Sequence, residues 1–194
     1  LVVRAPQRKQ LLTYISLLAK WNGVYNLTAI RDERDMLSHH LLDALSIVPY
    51  VAGRQFLDVG SGAGLPGIPV AIAQPDCKVT LLDSNRKKTA FLQQAVIELE
   101  LRNATVCSAR VEAWHPDERF DVIASRAFSD LAEFLASSQH LLAEQGVFAA
   151  MKGAYPRAEI ARLPEDFAVR AVQRLTVPGL AGERHLVLVE RTTS

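Results

Sequence analysis

Long apolar runs, clustered metal ligands and a one-sided charge are all missing from this chain. A membrane-spanning helix takes about 20 mostly apolar residues, and no stretch of the 194 residues supplies one. No membrane contact is expected. Cysteine is scarce: Cys77 and Cys107 are the only two. Each falls on or beside a predicted strand, the position of a buried free thiol, which fits a reducing cytoplasm. His39, His40, His115, His140 and His185 recur at no metal-ligand spacing, so no metal is expected. Net charge is only +1, so any nucleic-acid contact would fall to local clusters. The candidates are Arg4/Arg8/Lys9, Arg86-Lys87-Lys88, and Arg126 with Lys152 and Arg157. No secretory leader is legible, because Leu1-Val2-Val3 runs straight into Arg4-Ala5-Pro6-Gln7-Arg8-Lys9. A start at Leu suggests that part of the N-terminus is missing.

What is present reads as one α/β unit. The length suits a single domain with a full core, and 49% hydrophobic content is ordinary. Leu11, Tyr14, Ile15, Leu18 and Trp21 share one helical face, predicting a helix from Gln7 to Trp21 that Gly23 and Asn26 interrupt. A second helix is expected from Asp32 to Tyr50, capped by Asp32. Short apolar runs then recur at 56–59, 78–82, 104–107, 120–124 and 146–151. They alternate with helix-period stretches at Arg86–Leu101 and Asp130–Leu142, the pattern of βαβ units and a parallel sheet. The β-rich tail, Ala168–Val177 and His185–Arg191, is expected to close one edge as an antiparallel pair. Residues 1–53 then form an N-terminal helical cap and 54–194 the core.

Open α/β sheets bind ligands beyond the carboxyl ends of their strands. Here those ends carry Asp58–Gly64, Asp83, Ala109–Glu112, Ser125-Arg126 and Lys152. Phe56-Leu57-Asp58-Val59-Gly60-Ser61-Gly62-Ala63-Gly64-Leu65-Pro66-Gly67 reads as strand, glycine-dense turn and helix start. Such a turn lets the backbone approach a nucleoside, and Asp83 at the next strand tip can accept from both ribose hydroxyls. Gly62-Ala63-Gly64-Leu65-Pro66-Gly67 also satisfies the dinucleotide pattern. Two features oppose that choice. Asp58 lies two residues before Gly60, where it would repel a pyrophosphate but suit a cationic amine or sulfonium. Tyr14, Tyr25, Tyr50 and Tyr155 also lack the Lys four residues on that short-chain reductases use. Asp-Val-Gly-Ser-Gly-Ala-Gly is instead the form found in S-adenosylmethionine (AdoMet) methyltransferases. In that form Asp58, Gly60, Gly62 and Gly64 build the turn, Asp58 faces the amino-acid portion, and Asp83 is at the ribose.

Some acceptor chemistries are excluded. Exocyclic-amine methylation usually places Asn/Asp-Pro-Pro-aromatic after the fourth strand, where this chain has Ser125-Arg126-Ala127-Phe128. Carbon methylation of cytosine needs a thiolate, commonly beside a proline; Cys77 follows Asp76 and Cys107 follows Val106. Ring nitrogens, hydroxyls and small molecules remain.

From about Leu11 to Val189 the chain resembles the bacterial 16S ribosomal RNA guanine-N7 methyltransferases, also called glucose-inhibited division protein B. The likeness is carried by Lys20-Trp21-Asn22 with Tyr25-Asn26-Leu27-Thr28, by the turn extended through Ile68-Pro69, and by Leu81-Leu82-Asp83-Ser84. Ser125-Arg126-Ala127-Phe128, Lys152-Gly153 and Gly182-Glu183-Arg184-His185-Leu186 complete it. The resemblance implies a class I AdoMet-dependent methyltransferase fold, Rossmann-like, with a mostly parallel seven-stranded sheet and an antiparallel edge. It implies a cofactor site that includes Gly60, Leu65, Val111, Glu112 and Arg126. S-adenosylhomocysteine would be the product, and the substrate a guanine in the decoding region of small-subunit 16S rRNA. A cytoplasmic monomer is expected. The family tends to carry Arg-His-x-x-Asp-Ser in the second helix, where this chain has His39-His40-Leu41-Leu42-Asp43-Ala44.

Guanine N7 offers an in-plane lone pair and no proton, so no general base is assigned. Arg126 either bonds a methionine carboxylate or guanine O6, or pairs with a neighbouring carboxylate. Lys152 is either a phosphate or base contact or a solvated edge lysine. Asn26 either positions RNA or caps a helix. His40 and Asp43, three apart on one helical face, either act at the site or bond each other. Glu112 could accept from adenine's amine, or backbone groups at Val111 and Glu112 could serve alone. Two rivals stand beside RNA methylation: a small-molecule methyltransferase of the same fold, and an assembly factor that binds AdoMet without turnover.

Overall fold

The computed structural model describes residues 1–192 apart from Ala52, Arg54, Ala127 and Ser129. The expected cap–core boundary at 53/54 therefore touches a position outside the described residues, as does Ala127 of the Ser-Arg-Ala-Phe segment.

Seven strands form one sheet in the order β3-β2-β1-β4-β5-β7-β6. They are β1 (Gln55–Val59), β2 (Lys78–Asp83), β3 (Ala104–Ser108), β4 (Phe120–Ser125), β5 (Leu142–Lys152), β6 (Phe167–Arg174) and β7 (His185–Arg191). The first five pair in parallel, while β7 is antiparallel to both β5 and β6. This is the mostly parallel, seven-stranded sheet with an antiparallel edge expected from the sequence. Central strands of such a sheet are covered on both faces, and β1 is buried from Phe56 to Val59.

Side chains alternate across the sheet and feed two cores. Phe56, Val79, Leu81 and Val122 pack on one face with α1 (Ala5–Tyr25), α4 (Gly67–Ala73) and α5 (Arg86–Glu98). Leu57, Val59, Ile123 and Phe148 pack on the other with α6 (Leu131–Ser138). Primary amides hold α1 in place. Gln7 donates to the carbonyls of Ile72 and Ala73, and Gln10 donates to Leu99.

Several boundaries differ from expectation for local reasons. α1 runs through Gly23, where an added Cβ would meet nothing within 4 Å, and ends only at Asn26. Stacking of Trp21 on Tyr25 at 5.2 Å bridges that last turn and offsets the roughly 1 kcal/mol that a helical glycine costs. The expected Asp32–Tyr50 helix is not uniform. α2 (Glu33–Met36), capped by Asp32, widens into a π-turn at Leu37–Leu42 before α3 (Asp43–Ser46) and a 3-10 turn at Val48–Tyr50. β5 begins at Leu142, which pairs with Phe120 ahead of a register shift that takes up extra β5 residues before Val122 meets Val147. β6 stops at Arg174, where the loop to β7 is closed by the Leu175 N–H on Arg184 O. Cys77 is a buried free thiol, as expected, but Cys107 is only half-buried.

Candidate cofactor and substrate site

β1 ends in a turn whose backbone is tied to its neighbour. The N–H groups of Gly60 and Ser61 both donate to Leu82 O, at 2.8 and 3.1 Å. Gly60, Gly62 and Gly64 all have positive φ, at 70°, 57° and 87°, which L side chains rarely adopt. At Gly67 the need is space: a Cβ would strike Leu81 and lie 2.8 Å from Asp58 Oδ2. Tyr14 reaches over from α1, its hydroxyl donating to Ala63 O at 2.6 Å. Burial pushes that phenol far upward, so it remains a neutral donor.

Two depressions meet at Gly60, both beyond the strand ends. The larger, about 420 Å³, is walled by Val59, Leu82, Asp83, Val111, Glu112 and Phe128. Val111 and Glu112 belong to a 3-10 turn at Val111–Ala113, just past β3. The smaller, about 160 Å³, lies between the glycine turn, Leu65, Leu27, Thr28 and Arg126. A cleft of about 570 Å³ opens elsewhere, between Arg4, Gln7, Lys78 and Arg102 at the amino ends of the strands. It lacks the glycine turn and both carboxylates.

Those carboxylates are held differently. Asp83 accepts from the Gly62 N–H through Oδ2 at 2.9 Å and from the Asn85 N–H through Oδ1 at 2.8 Å. Asp58 is fully buried, and its Oδ2 accepts from the Gly67 N–H at 2.9 Å. Its Oδ1 has no hydrogen-bond partner among the described residues. Burial raises the carboxyl to about 7, against the opposing pull of the Gly67 N–H, of the nearby Ser61 hydroxyl, which donates to Asp58 O, and of Arg126.

Arg126 leaves the end of β4 and is met by the π-turn. Its Nη1 donates to His39 O and to Asp43 Oδ2, both at 3.2 Å, and its Nη2 faces His40 Nδ1 at 3.3 Å. Arg184, just before β7, places Nε 3.3 Å from Asp43 Oδ1. Burial outweighs these two guanidiniums and keeps the Asp43 carboxyl above its usual range. His40 Nε2 lies 2.7 Å from Thr28 Oγ1. Burial and Arg126 lower the His40 ring to about 4, so it is neutral at pH 7.

The chain thus brings Gly60, Gly62, Leu65, Asp83, Val111, Glu112 and Arg126 to the walls of two joined hollows. Asp58 is fully buried and lines neither. Gly64 is a packing position, where a Cβ would strike Ile68 and approach Leu92 at 3.1 Å. His40 and Asp43 converge on Arg126 rather than on each other. Asn26 is the left-handed C-cap of α1, its Oδ1 accepting from Arg31. Lys152 donates to Glu159 at 2.7 Å and to Phe128 O at 3.2 Å, bracing the loop after β4. Neither Asn26 nor Lys152 lines the hollows. Tyr14, Thr28 and Arg184 were given no role from the sequence. Thr28 and Arg184 lie in the Tyr25–Thr28 and Gly182–Leu186 segments, but only the folded chain shows what they meet.

Residues 7–187 match the family model GidB, described as rRNA small subunit methyltransferase G. The chain belongs to that family. It is 62% identical over 187 residues to the ribosomal RNA small subunit methyltransferase G of Laribacter hongkongensis, covering 96% of this chain and 90% of that one. It is 59% identical to the protein of the same name from Neisseria meningitidis serogroup C, covering 94% and 88%. Solved structures show the fold. A SAM-dependent methyltransferase from Aquifex aeolicus superposes with a TM-score of 0.65 at 18% identity, over 89% of this chain and 97% of its own. A ribosomal protein L11 methylase from Lactobacillus delbrueckii subsp. bulgaricus gives 0.60 at 19% identity, over 78% and 77%. The family's class I methyltransferase sheet is therefore present here, with its glycine turn at the tip of β1.

The donor set fits AdoMet better than a dinucleotide. Asp58 and Asp83 put two carboxylates around the turn, and Asp58 keeps a buried oxygen unpartnered. Among the described residues, no group of three or more His, Cys, Asp or Glu could hold a metal ion. No helix among them is long and apolar enough to cross a membrane.

Proposed function

We propose that this chain transfers a methyl group from AdoMet to N7 of a guanine in 16S rRNA, in the decoding region of the small subunit. The observation that carries this reading is the pair of hollows joined at Gly60, in a chain that belongs to the rRNA small subunit methyltransferase G family. AdoMet supplies a methyl carbon activated by the adjoining sulfonium.

The larger hollow suits the adenosine half. Asp83 retains free lone pairs for the ribose hydroxyls, and Val111 and Glu112 lie where adenine would rest. The smaller hollow suits the methionine half. There the buried Asp58 carboxylate, behind the glycine turn, acts on the amino group through its field, and Arg126 offers positive charge to the carboxylate or to guanine O6. His40 and Asp43 hold Arg126 in place, while Lys152 and Asn26 fix the loops around the opening. Guanine N7 needs no proton removed, so these residues have only to bind, align and exclude water. That agrees with a site that has no nucleophile–base pair among the described residues. Residues 1–53 serve as a helical cap on the core, and the protein acts as a cytoplasmic monomer on the small subunit or its precursor.

The test is labelled methyl transfer to small subunits lacking 7-methylguanosine, followed by nuclease mapping. Label in a single 7-methylguanosine of 16S rRNA is the expected result. Transfer only to small molecules, or AdoMet binding without any methylated product, would overturn it.

A further inference from the structure

Hydrogen positions around Arg126 are over-determined, and they fix one more. A guanidinium only donates, so His40 Nδ1, 3.3 Å from Arg126 Nη2, must accept. A neutral imidazole carries one N–H, which then sits on Nε2 and donates to Thr28 Oγ1 at 2.7 Å. The Ile30 N–H donates to the same oxygen at 3.2 Å. Both lone pairs of the Thr28 hydroxyl are therefore occupied, and its own proton has to be given away. No acceptor for it occurs among the described residues, and Thr28 lines the small hollow beside Gly60, Ser61 and Arg126.

We infer that Thr28 is a cofactor-binding residue whose hydroxyl is held as an obligate donor, by the relay Arg126–His40–Thr28, to the carboxylate of AdoMet's methionine half. The inference rests on the AdoMet reading above. Thr28 is half-buried, so water takes this proton in the open site and a bound ligand's acceptor oxygen takes the water's place; two such oxygens exist, on the cofactor carboxylate and on the carbonyl of the target guanine. The cofactor is favoured because Thr28 shares its hollow with the glycine turn. His40 is a positioning residue: it sets the direction of the Thr28 proton without itself lining the hollow.

The probes are AdoMet and decarboxylated AdoMet, titrated calorimetrically against wild type, Thr28→Val, Thr28→Ser and His40→Leu. A hydrogen bond to a charged group makes a difference of roughly ten-fold or more in affinity. Wild type should prefer AdoMet over its decarboxylated form, and Thr28→Val should lower that ratio roughly ten-fold. Thr28→Ser should restore the ratio, and His40→Leu should lower it part of the way. Equal loss of both ligands in Thr28→Val would mean a structural role and would overturn the inference. Unchanged AdoMet affinity with a raised KM for RNA would move the donor to the guanine and overturn the cofactor assignment. Failure of wild type to bind AdoMet at all would instead break the reading on which the inference stands.

Discussion

The two walls of the site are built in opposite ways. On the strand side, partners are near in sequence: Gly67 meets Asp58 across nine residues, and Gly62 meets Asp83 across 21. These are backbone N–H groups donated to carboxylates at adjacent strand tips. On the cap side, Arg126 meets the Asp43 and His40 side chains across 83 and 86 residues and His39 O across 87, always through its own side chain. The glycine turn and its two carboxylates are in place as soon as β1 and β2 pair. The other exists only when the π-turn of the cap docks against the ends of β4 and β7. The proposed binding surface is therefore half a property of local chain geometry and half a product of tertiary packing.

The sharpest way to break this contrast is to remove Asp43. Its side chain is only 4% exposed, between guanidiniums that are 28% and 30% exposed. Deleting one member of a buried ion pair leaves the other charges uncompensated and typically costs 3–5 kcal/mol. Partial hydration of both arginines reduces that cost here. Asp43→Ala should lose about 2 kcal/mol in denaturant titrations, and Asp43→Asn, which keeps an acceptor, should lose less. Hydrogen exchange should then rise in the cap around Leu37–Leu42 while β1 and β2 stay protected. Equal loss of protection in both walls would show that they do not form separately.

The strand wall has its own test, through pH. Burial raises the Asp58 carboxyl to about 7, against an ordinary 3.8. A cationic ligand in the neighbouring hollow favours the ionised form, so binding releases a proton below pH 7. AdoMet affinity should therefore climb as pH rises from 6 to 8, by at most about ten-fold per unit below the pKa, and then level off. Asp58→Asn should flatten the curve, and calorimetry in buffers of different ionisation enthalpy measures the proton directly. Stability carries the opposite sign. The folded chain keeps this proton where the unfolded chain has lost it, so the contribution of Asp58 to stability falls between about pH 4 and pH 7. Urea midpoints of Asp58→Asn relative to wild type should rise over that window.

The same contrast explains what could be read from the chain itself. Asp58, Gly60, Gly62 and Asp83 were legible because a strand, a turn needing positive φ and a strand-tip carboxylate leave marks within about 25 residues. The sheet was legible for a similar reason, through alternation of apolar runs. The cap wall left no such mark. Helical spacing places His40 and Asp43 on one face, which allows either a bond between them or a role at the site; folding turns both toward Arg126. The π-turn that aims them is invisible to a 3.6-residue period, because it widens the helix without changing which residues are apolar. Arg184 and Thr28 belong to loops, and nothing in their neighbours says that both reach the same cluster. Lys152 sits at the expected strand end, yet its ion pair with Glu159 depends on where α7 (Arg157–Ile160) lands.

The smallest expected effect sharpens the comparison from the other side. Lys88 is the one side-chain cation within 4.0 Å of Asp83 among the described residues, and it is 39% exposed. An exposed ion pair contributes at most about 1 kcal/mol, and the Asp83 carboxylate is already fixed by two backbone donors. Lys88→Met should therefore shift AdoMet affinity by less than about five-fold in calorimetry, with the difference fading as salt is raised. Loss of a nearby positive charge should, if anything, favour the cationic cofactor over its uncharged-sulfur product. A larger loss would mean that Asp83 needs its lysine to stay in place. The strand wall would then depend on side-chain packing as much as the cap wall does, and the division between a locally built half and a docked half would fail.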